Sequence, residues 1–145
     1  MHNSLDQSLG FKLGVAYRKV SQLFQQQLKD HNLTPEQWAV LYRTGEQDGM
    51  IQREIGQRAG KDKPTTTRIL VALEEKGMIR KVEGSTDRRS FRVYITEAGR
   101  DKVRQIEPIE RATMSAVSQG ISEEDYALFV NLLQRIIGNA DKLIE

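Results

Sequence analysis

The stretch of sequence that decides the fold runs from residue 52 to residue 99 and reads QREIGQRAGKDKPTTTRILVALEEKGMIRKVEGSTDRRSFRVYITEAG. Its first part, residues 52–59, is predicted to form a short helix with Ile55 and Ala59 on its inward side. Gly60 ends this helix, because glycine permits the sharp change of direction that a tight turn requires. The stretch therefore opens with a short helix and a turn.

A longer helix is predicted after the turn. Asp62 and Pro64 form a start signal, because aspartate caps a helix and proline suits its first turn. Its apolar residues share one stripe, which consists of Ile69, Leu70 and Leu73. Gly77 lies just past its end, where glycine is common. The helix therefore has a polar front before Ile69 and an apolar rear.

The period then changes from helical to alternating. Residues 79–83 (IRKVE) and residues 91–95 (FRVYI) are predicted to form two strands. Residues 84–90 (GSTDRRS) lie between them and form a polar loop with turn residues and two arginines. Together these segments predict a β-hairpin.

Short helix, tight turn, second helix and β-hairpin, in this order, are the plan of a winged helix-turn-helix. In this plan the N-terminal end of the second helix enters the major groove of DNA. That end carries hydroxyls and cations, and the residues predicted to contact DNA are Lys63, Thr65, Thr66, Thr67 and Arg68. Threonine offers a hydroxyl and a methyl group to base edges, and arginine can bind guanine through two hydrogen bonds. The alternative for the three threonines is an ordinary polar helix start.

The loop of the hairpin carries a second predicted DNA contact. Arg88 and Arg89 lie at its tip, where arginine can enter the narrow, electronegative minor groove. Asp87 would repel phosphate, so we expect it to orient one of these arginines through an ion pair. The alternative is a solvated hairpin tip.

Helical segments are predicted on both sides of this core. Residues 8–30 have helical spacing, and a second helix follows Thr34, which forms a capping-box pattern with Gln37. After the hairpin, a helix runs from Thr96 to about residue 119, and we expect Pro108 to kink or interrupt it. A last helix then follows an acidic start.

The terminal segments are predicted to form a dimer interface. They carry more apolar residues than a helix lying on a small domain needs, and in a monomer these would form an exposed patch. The predicted interface residues are Leu5, Leu9, Phe11, Leu128, Phe129, Leu132, Leu133, Ile136 and Ile137. The alternative is that they belong to the core of a single chain.

The predicted fold is therefore mainly α with a small β-hairpin wing. A winged helix-turn-helix lobe over residues 34–97 is flanked by terminal dimerisation helices, residues 1–33 and 98–145, within one structural domain. The length of 145 residues is typical of one domain.

Charge is unevenly distributed along the chain. Residues 1–48 carry 5 basic and 5 acidic groups, residues 49–96 carry 11 and 6, and residues 97–145 carry 6 and 9. A basic middle indicates a polyanionic partner, here double-stranded DNA, although a solvated basic face would give the same composition.

Composition also excludes several kinds of site. The chain has no cysteine, which excludes disulfides, a thiol nucleophile and a cysteine-ligated metal. His2 and His31 are too far apart in sequence to indicate a metal site. No apolar run approaches the roughly 20 residues that span a bilayer, and the N-terminus lacks the pattern of a signal peptide. We therefore expect a cytoplasmic protein without membrane contact, cofactor or metal.

Several motifs in one order resemble those of the MarR family of regulators. Residues 87–99 (DRRSFRVYITEAG) resemble its wing signature, residues 33–38 (LTPEQW) the entry to its second helix, and residues 73–79 (LEEKGMI) the end of its recognition helix. The resemblance covers nearly the whole chain. One departure is Thr66, where the family commonly has an apolar residue.

The resemblance implies a homodimeric bacterial transcription regulator on a pseudo-palindromic operator, often a repressor released by a small molecule. It matches Thr65, Thr67 and Arg68 to recognition-helix contacts. It also matches Arg89 to the wing arginine and Asp87 to its supporting carboxylate.

The resemblance also implies an effector cleft between the dimer helices and the DNA-binding lobe. Val15, Arg18, Trp38 and Tyr42 are predicted to line it, and aromatic walls with one cation would suit a small aromatic or other anionic ligand. The alternative is that Trp38 and Tyr42, four residues apart on one helix, belong to the core.

Two other functions compete with an operator-binding dimer. The first is a winged-helix module for protein contacts or nonspecific DNA packaging, which needs neither a palindrome nor a pocket. The second is an enzyme, which is disfavoured because the sequence has no glycine-rich phosphate loop, nucleophilic cysteine or close histidine pair.

Overall fold

Six α-helices and three short strands make up residues 4–84 and 91–144, which the computed structural model describes. A single 3-10 turn, Leu5–Gln7, precedes them. The helices are α1 (Leu9–Gln27), α2 (Pro35–Glu46), α3 (Gln52–Ala59), α4 (Lys63–Glu75), α5 (Glu97–Val117) and α6 (Glu123–Ile144). The strands are β1 (Met50–Ile51), β2 (Ile79–Glu83) and β3 (Phe91–Ile95). The predicted fold, mainly α with a small hairpin wing, is confirmed.

Local capping signals set the start of α2. The Gln37 backbone N–H donates to Thr34 Oγ1 at 3.1 Å, and the Thr34 N–H donates to Gln37 Oε1 at 3.2 Å. This is the reciprocal capping box that the sequence predicts, with Pro35 in the first turn.

The turn between α3 and α4 also follows the sequence prediction. Gly60 closes α3 in the left-handed region with φ 68°, where a side chain would strain the backbone. Asp62 then caps α4, because its Oδ1 accepts from the Thr65 N–H at 2.8 Å. Gly77, just after the end of α4, is also in the left-handed region, with φ 74°. Thus α3 and α4 form a helix-turn-helix pair.

The strands form one antiparallel sheet in the order β1-β3-β2. The predicted hairpin pairs Ile79 with Ile95 and Lys81 with Val93. Strand β1 was not predicted, because it has only two residues and pairs Met50 with Val93, far along the chain. The sheet therefore joins the segment before α3 to the end of the hairpin.

The core lies where α2, α3 and α4 meet the sheet, with contributions from α1 and α5. It includes the apolar stripe of α4, and its fully buried residues include Leu28, Val40, Leu41, Met50, Ile55, Ile69, Leu70, Leu73, Val93 and Ile106. This packing fixes one side of α4 and leaves its other side free.

The first turn of α5 packs closely on the chain between α4 and β2. A Cβ on Gly99 would overlap the Met78 carbonyl oxygen and lie 2.7 Å from Ile95 Cγ1. Thr96 caps this turn, since its Oγ1 accepts from the Gly99 N–H at 3.0 Å. Of the two effects predicted for Pro108, a kink or an interruption, the interruption does not occur, because α5 continues through Pro108 as one helix.

The chain divides into two compact units between residues 113 and 114. The first unit contains α1–α4, the sheet and most of α5. The second contains the end of α5 and α6, which begins with Ser122 Oγ accepting from the Asp125 N–H at 3.1 Å. Among the described residues, no helix is both long and apolar enough to cross a membrane.

Candidate nucleic-acid interface

The N-terminal half of α4 presents a polar, cationic surface. Lys63, Thr67 and Arg68 are exposed, and Thr65 is half-buried. The opposite side of the helix is buried in the core. These four predicted DNA-contact residues therefore stand on the free part of the helix.

Thr66 does not belong to this surface, and its predicted DNA contact is wrong. Its side chain is only 1% exposed, and its hydroxyl donates to the Asp62 carbonyl at 2.7 Å. It packs so closely on α3 that a Cβ on Gly56 would lie 2.8 Å from Thr66 Oγ1. Thr66 therefore packs between the two helices, with its one polar group satisfied inside α4.

Thr67 is held from two sides. Its Oγ1 donates to the Lys63 carbonyl at 2.9 Å and accepts from Gln52 Nε2 at 2.5 Å. Gln52 is the first residue of α3, and it is not among the residues predicted to contact DNA. No local pattern would have found it, because the two residues are 15 positions apart.

Arg68 reaches towards α2. Its Nη2 lies 3.9 Å from Glu36 Oε2, and both side chains are well exposed. A solvated pair at this distance contributes little to stability. The Arg68 guanidinium is therefore held only weakly in the absence of another partner.

A groove of about 670 Å³ runs between α3, the start of α4 and the start of β3. Three cations line it, namely Arg53, Lys61 and Lys63, and none of its described lining residues is acidic. Gln52 and Thr67 lie in the same groove. Such a surface has the charge expected of a phosphate-binding face.

Asp62, in the turn between α3 and α4, caps α4 through its hydrogen bond from the Thr65 N–H. The hydrogen bonds from Thr65 lower the pKa of Asp62, and the charges of Arg68 and Lys61 act in the same direction. The carboxylate therefore stays ionised at neutral pH and partly offsets the cations beside it.

The hairpin strands carry ordered cations of their own. The Arg80 guanidinium lies 4.6 Å from the centre of the Tyr94 ring, and Arg92 Nη1 donates to the Gly49 carbonyl at 2.8 Å. Lys81 Nζ lies 3.8 Å from Glu74 Oε1 on α4. The predicted contacts of the hairpin tip, Asp87, Arg88 and Arg89, lie outside the described residues.

The helix-turn-helix with its hairpin matches the model of the MarR family over residues 31–90. This part of the chain is therefore similar to the MarR family. A probable transcriptional regulator from Pseudomonas aeruginosa is 27% identical, with a TM-score of 0.84, over 92% of this chain and 99% of that one. MarR itself is 26% identical, with a TM-score of 0.82, over 99% of this chain and 97% of that one.

A third similar structure contains DNA. It is the transcriptional repressor CouR bound to a 23-mer DNA duplex, with 23% identity and a TM-score of 0.83 over 94% of this chain and 99% of CouR. At this identity the likeness shows the fold alone. The family match over residues 31–90 and the first two structures make this chain similar to MarR-family transcriptional regulators.

The residues predicted to line one effector cleft do not line a single cleft. Trp38, which is 8% exposed, and Tyr42 line a cleft of about 460 Å³ with Arg43, Arg58, Glu107, Glu110 and Arg111. Arg18 lines a separate cleft between α1, the start of α2 and α4. Val15 is half-buried and lines neither cleft. The predicted membership of the pocket therefore needs correction, because Arg18 and Trp38 line different clefts.

Charges around the Trp38 cleft are mostly paired. Arg43 forms an ion pair with Glu46 at 3.0 Å, and Arg111 pairs with Glu107 at 3.6 Å. Arg58 Nη2 instead donates to the amide oxygen of Gln47 at 3.0 Å. The Trp38 and Tyr42 rings are tilted, with centroids 5.4 Å apart. Trp38 thus belongs to the core and also forms one wall of the cleft.

Each unit exposes apolar side chains. In the first unit, Leu5, Leu9 and Phe11 are exposed. In the second, none of the described residues of α6 is fully buried, and Leu128 and Phe129 are 56% and 57% exposed. Of the other predicted interface residues, Leu132 and Ile137 are exposed, and Leu133 and Ile136 are half-buried.

The described residues were also compared with the ligand sets of metal sites. Within residues 4–84 and 91–144, no group of three histidine, aspartate or glutamate side chains could hold a metal ion.

Proposed function

We propose that this protein binds a pseudo-palindromic operator as a homodimer and represses transcription until a small ligand releases it. The observation that carries the proposal is the free front of α4, where Lys63 and Thr67 line the cationic groove and Arg68 is exposed. Hydroxyls and cations at the start of a recognition helix suit base edges and phosphates in the major groove. The match of residues 31–90 to the MarR family supports the same function.

Exposed apolar side chains support the homodimer. A 22-residue helix with a continuous apolar stripe and no fully buried residue is poorly suited to water. A second copy of the chain would cover α6 and the N-terminal residues. The two-fold axis of this dimer would relate two copies of α4, one for each half-site of the operator.

A footprint on the DNA that flanks the gene tests the operator. We expect one protected region with two half-sites related by a two-fold axis and centred about 10 base pairs apart, or a multiple of this. Uniform coating without symmetric half-sites would instead support a nonspecific packaging module. Absence of any DNA binding would support a module for protein contacts.

The dimer is tested with a matched pair of variants on α6. Leu128→Glu places a charge in the apolar stripe, and we expect it to produce monomers in sedimentation and to lose the operator. Asn131→Glu adds the same charge outside the stripe, and we expect it to remain dimeric. Leu128→Glu that stays dimeric with full operator affinity would contradict this interface.

The proposed ligand is a small aromatic carboxylate in the Trp38 cleft. The Trp38 and Tyr42 rings supply apolar walls, and Arg58 supplies a cation that donates to the neutral amide of Gln47. To release DNA, the ligand must bind more tightly to the released state, and about 1.4 kcal/mol of differential binding changes operator affinity about tenfold.

Fluorescence of Trp38, the only tryptophan, tests the cleft. We expect salicylate or a related aromatic carboxylate to change its emission over the concentration range that releases DNA. Arg58→Ala should weaken this effect, whereas Arg18→Ala, in the other cleft, serves as the matched control and should respond normally. Release of DNA with unchanged emission, or loss of response in the Arg18 variant alone, would place the ligand elsewhere.

A further inference from the structure

A side-chain bridge joins the starts of the two helices of the helix-turn-helix. Gln52, the first residue of α3, donates from Nε2 to Thr67 Oγ1 in the second turn of α4, at 2.5 Å. Both side chains line the cationic groove, and Thr67 is exposed. The bridge therefore stands on the same face as the predicted DNA contacts of α4.

The hydrogen bonds of the bridge determine what it can offer to DNA. Thr67 has one hydroxyl hydrogen, which goes to the Lys63 carbonyl at 2.9 Å. Thr67 therefore cannot donate to a base, and it retains its methyl group and one acceptor lone pair. Within residues 4–84 and 91–144 the Gln52 amide uses only one of its two N–H groups, so it retains the other N–H and its oxygen.

We infer that Gln52 is a specificity-determining residue that selects an A·T base pair in each half-site together with Thr67. This inference rests on the proposed function, since it concerns the same DNA-binding face. The free N–H and oxygen of a glutamine amide match N7 and N6–H of adenine in the major groove. The Thr67 methyl group can contact the 5-methyl group of the paired thymine.

Thr67 holds the amide in place for this contact. A glutamine side chain has three rotatable bonds, and a hydrogen bond to a fixed hydroxyl removes most of their freedom before DNA arrives. Preorganised groups lose less conformational entropy on binding. The A·T preference consequently depends on both residues, with Gln52 touching adenine and Thr67 both positioning Gln52 and touching thymine.

The test selects DNA from a randomised duplex library with the full-length protein and with two variants. We expect the wild type to enrich a two-fold symmetric site that contains an A·T pair at one position per half-site, favoured by about 5- to 150-fold. Gln52→Ala should reduce the preference at that position alone to about fourfold, the share supplied by the Thr67 methyl group. Gln57→Ala, on the same helix and lining the same groove, is the matched control and should retain it.

Base analogues at the selected position separate the two contacts. Replacing adenine by 7-deazaadenine removes N7, and we expect it to weaken wild-type binding about 2- to 12-fold, the worth of one hydrogen bond. Replacing thymine by uracil removes the methyl group and should cost about fourfold. Gln52→Ala should become insensitive to 7-deazaadenine.

Two conservative changes at Thr67 complete the test. Thr67→Val keeps a methyl group but loses the hydroxyl that holds Gln52, so we expect it to lose sensitivity to 7-deazaadenine and keep sensitivity to uracil. Thr67→Ser keeps the hydroxyl and loses the methyl group, so the opposite pattern is expected. Thermal unfolding of each variant confirms that it is folded.

Three outcomes are distinguishable. The position-specific losses described above support the inference. A symmetric site whose base preferences all survive in Gln52→Ala, with only a uniform loss of affinity, overturns it and assigns Gln52 to phosphate or to structure. A wild type that selects no sequence overturns the proposed function itself.

Discussion

Gly99 shows how one hydrogen atom in place of a methyl group allows two segments to meet. Its Cα faces the Met78 carbonyl, which also accepts from the Thr96 N–H at 3.0 Å. The backbone at Met78 cannot retreat without breaking this hydrogen bond. The position therefore requires glycine for space, although its φ lies outside the left-handed region.

Gly99→Ala is therefore expected to destabilise the protein by about 1–3 kcal/mol, the usual cost of forcing extra atoms into a packed site. Urea unfolding at fixed protein concentration measures this change, since dimerisation contributes to apparent stability. Gly14→Ala on α1 is the control, because its new methyl group would meet no atom within 4 Å. Equal stability of the two variants would show that the α5 start can move freely.

At the scale of the element, Asp62 links the start of α4 to pH. Its pKa is lowered from 3.8 in the folded chain, chiefly by the hydrogen bonds from Thr65. A carboxylate with a depressed folded pKa stabilises the fold above its unfolded pKa and loses that contribution as pH falls through the folded value.

Asp62→Ala is therefore expected to lower the Tm at pH 7, and the difference from wild type should shrink as pH falls below 3.8. Calorimetry between pH 7 and pH 3 measures this trend. Asp62→Asn is the control, because asparagine can still cap the helix while carrying no charge. A gap between wild type and Asp62→Ala that stays constant down to pH 3 would mean that the carboxylate charge is irrelevant.

Helix ends could be predicted from the sequence because their causes are local. Thr34 with Gln37, and Gly60 with Asp62, act within three residues of one another. The burial of Thr66 could also have been predicted, since Thr66 lies three residues before Ile69 and continues the buried stripe of the helix. All three threonines also fit the polar pattern of a DNA-contacting helix start, and this pattern does not distinguish the buried Thr66 from its exposed neighbour Thr67.

Features that depend on distant pairing were not predictable in the same way. Strand β1 is defined by Val93, and the partner of Thr67 is Gln52, so neither follows from a local pattern. The separation of Arg18 from Trp38 depends on where α1 packs. The exposed polar face of α4 could therefore be predicted from the sequence, whereas Gln52, which holds Thr67 on that face, could not.

For the whole molecule, charge predicts the response to salt. Arg53, Lys61 and Lys63 would be doubled in a dimer, and each phosphate contact releases counterions. If about 6–10 phosphates are contacted, operator affinity should fall about 10³- to 10⁵-fold between roughly 50 and 200 mM salt. Fluorescence anisotropy with a labelled operator measures the slope, and a flat response would contradict phosphate binding at this groove.

A pair of charge variants assigns that slope to the groove. Lys61→Gln should make the slope of log affinity against log salt shallower by about one for each phosphate that the lysine no longer neutralises. Lys102→Gln on α5 removes the same charge away from the groove and should leave the slope unchanged. Equal effects from the two variants would mean that net charge, and not the groove, governs the slope.

The pairing of β1 with β3 has a consequence for the order in which the protein acquires function during synthesis. Met50 can pair only after Val93 has been synthesised, so α3 and α4 leave the ribosome well before β3, the strand that completes the sheet beside them. Closing a loop of this length costs chain entropy that the last contacts must repay. A nascent chain that ends after β2 thus carries the complete recognition helix without its final support, and it should not bind DNA before residue 95 has emerged.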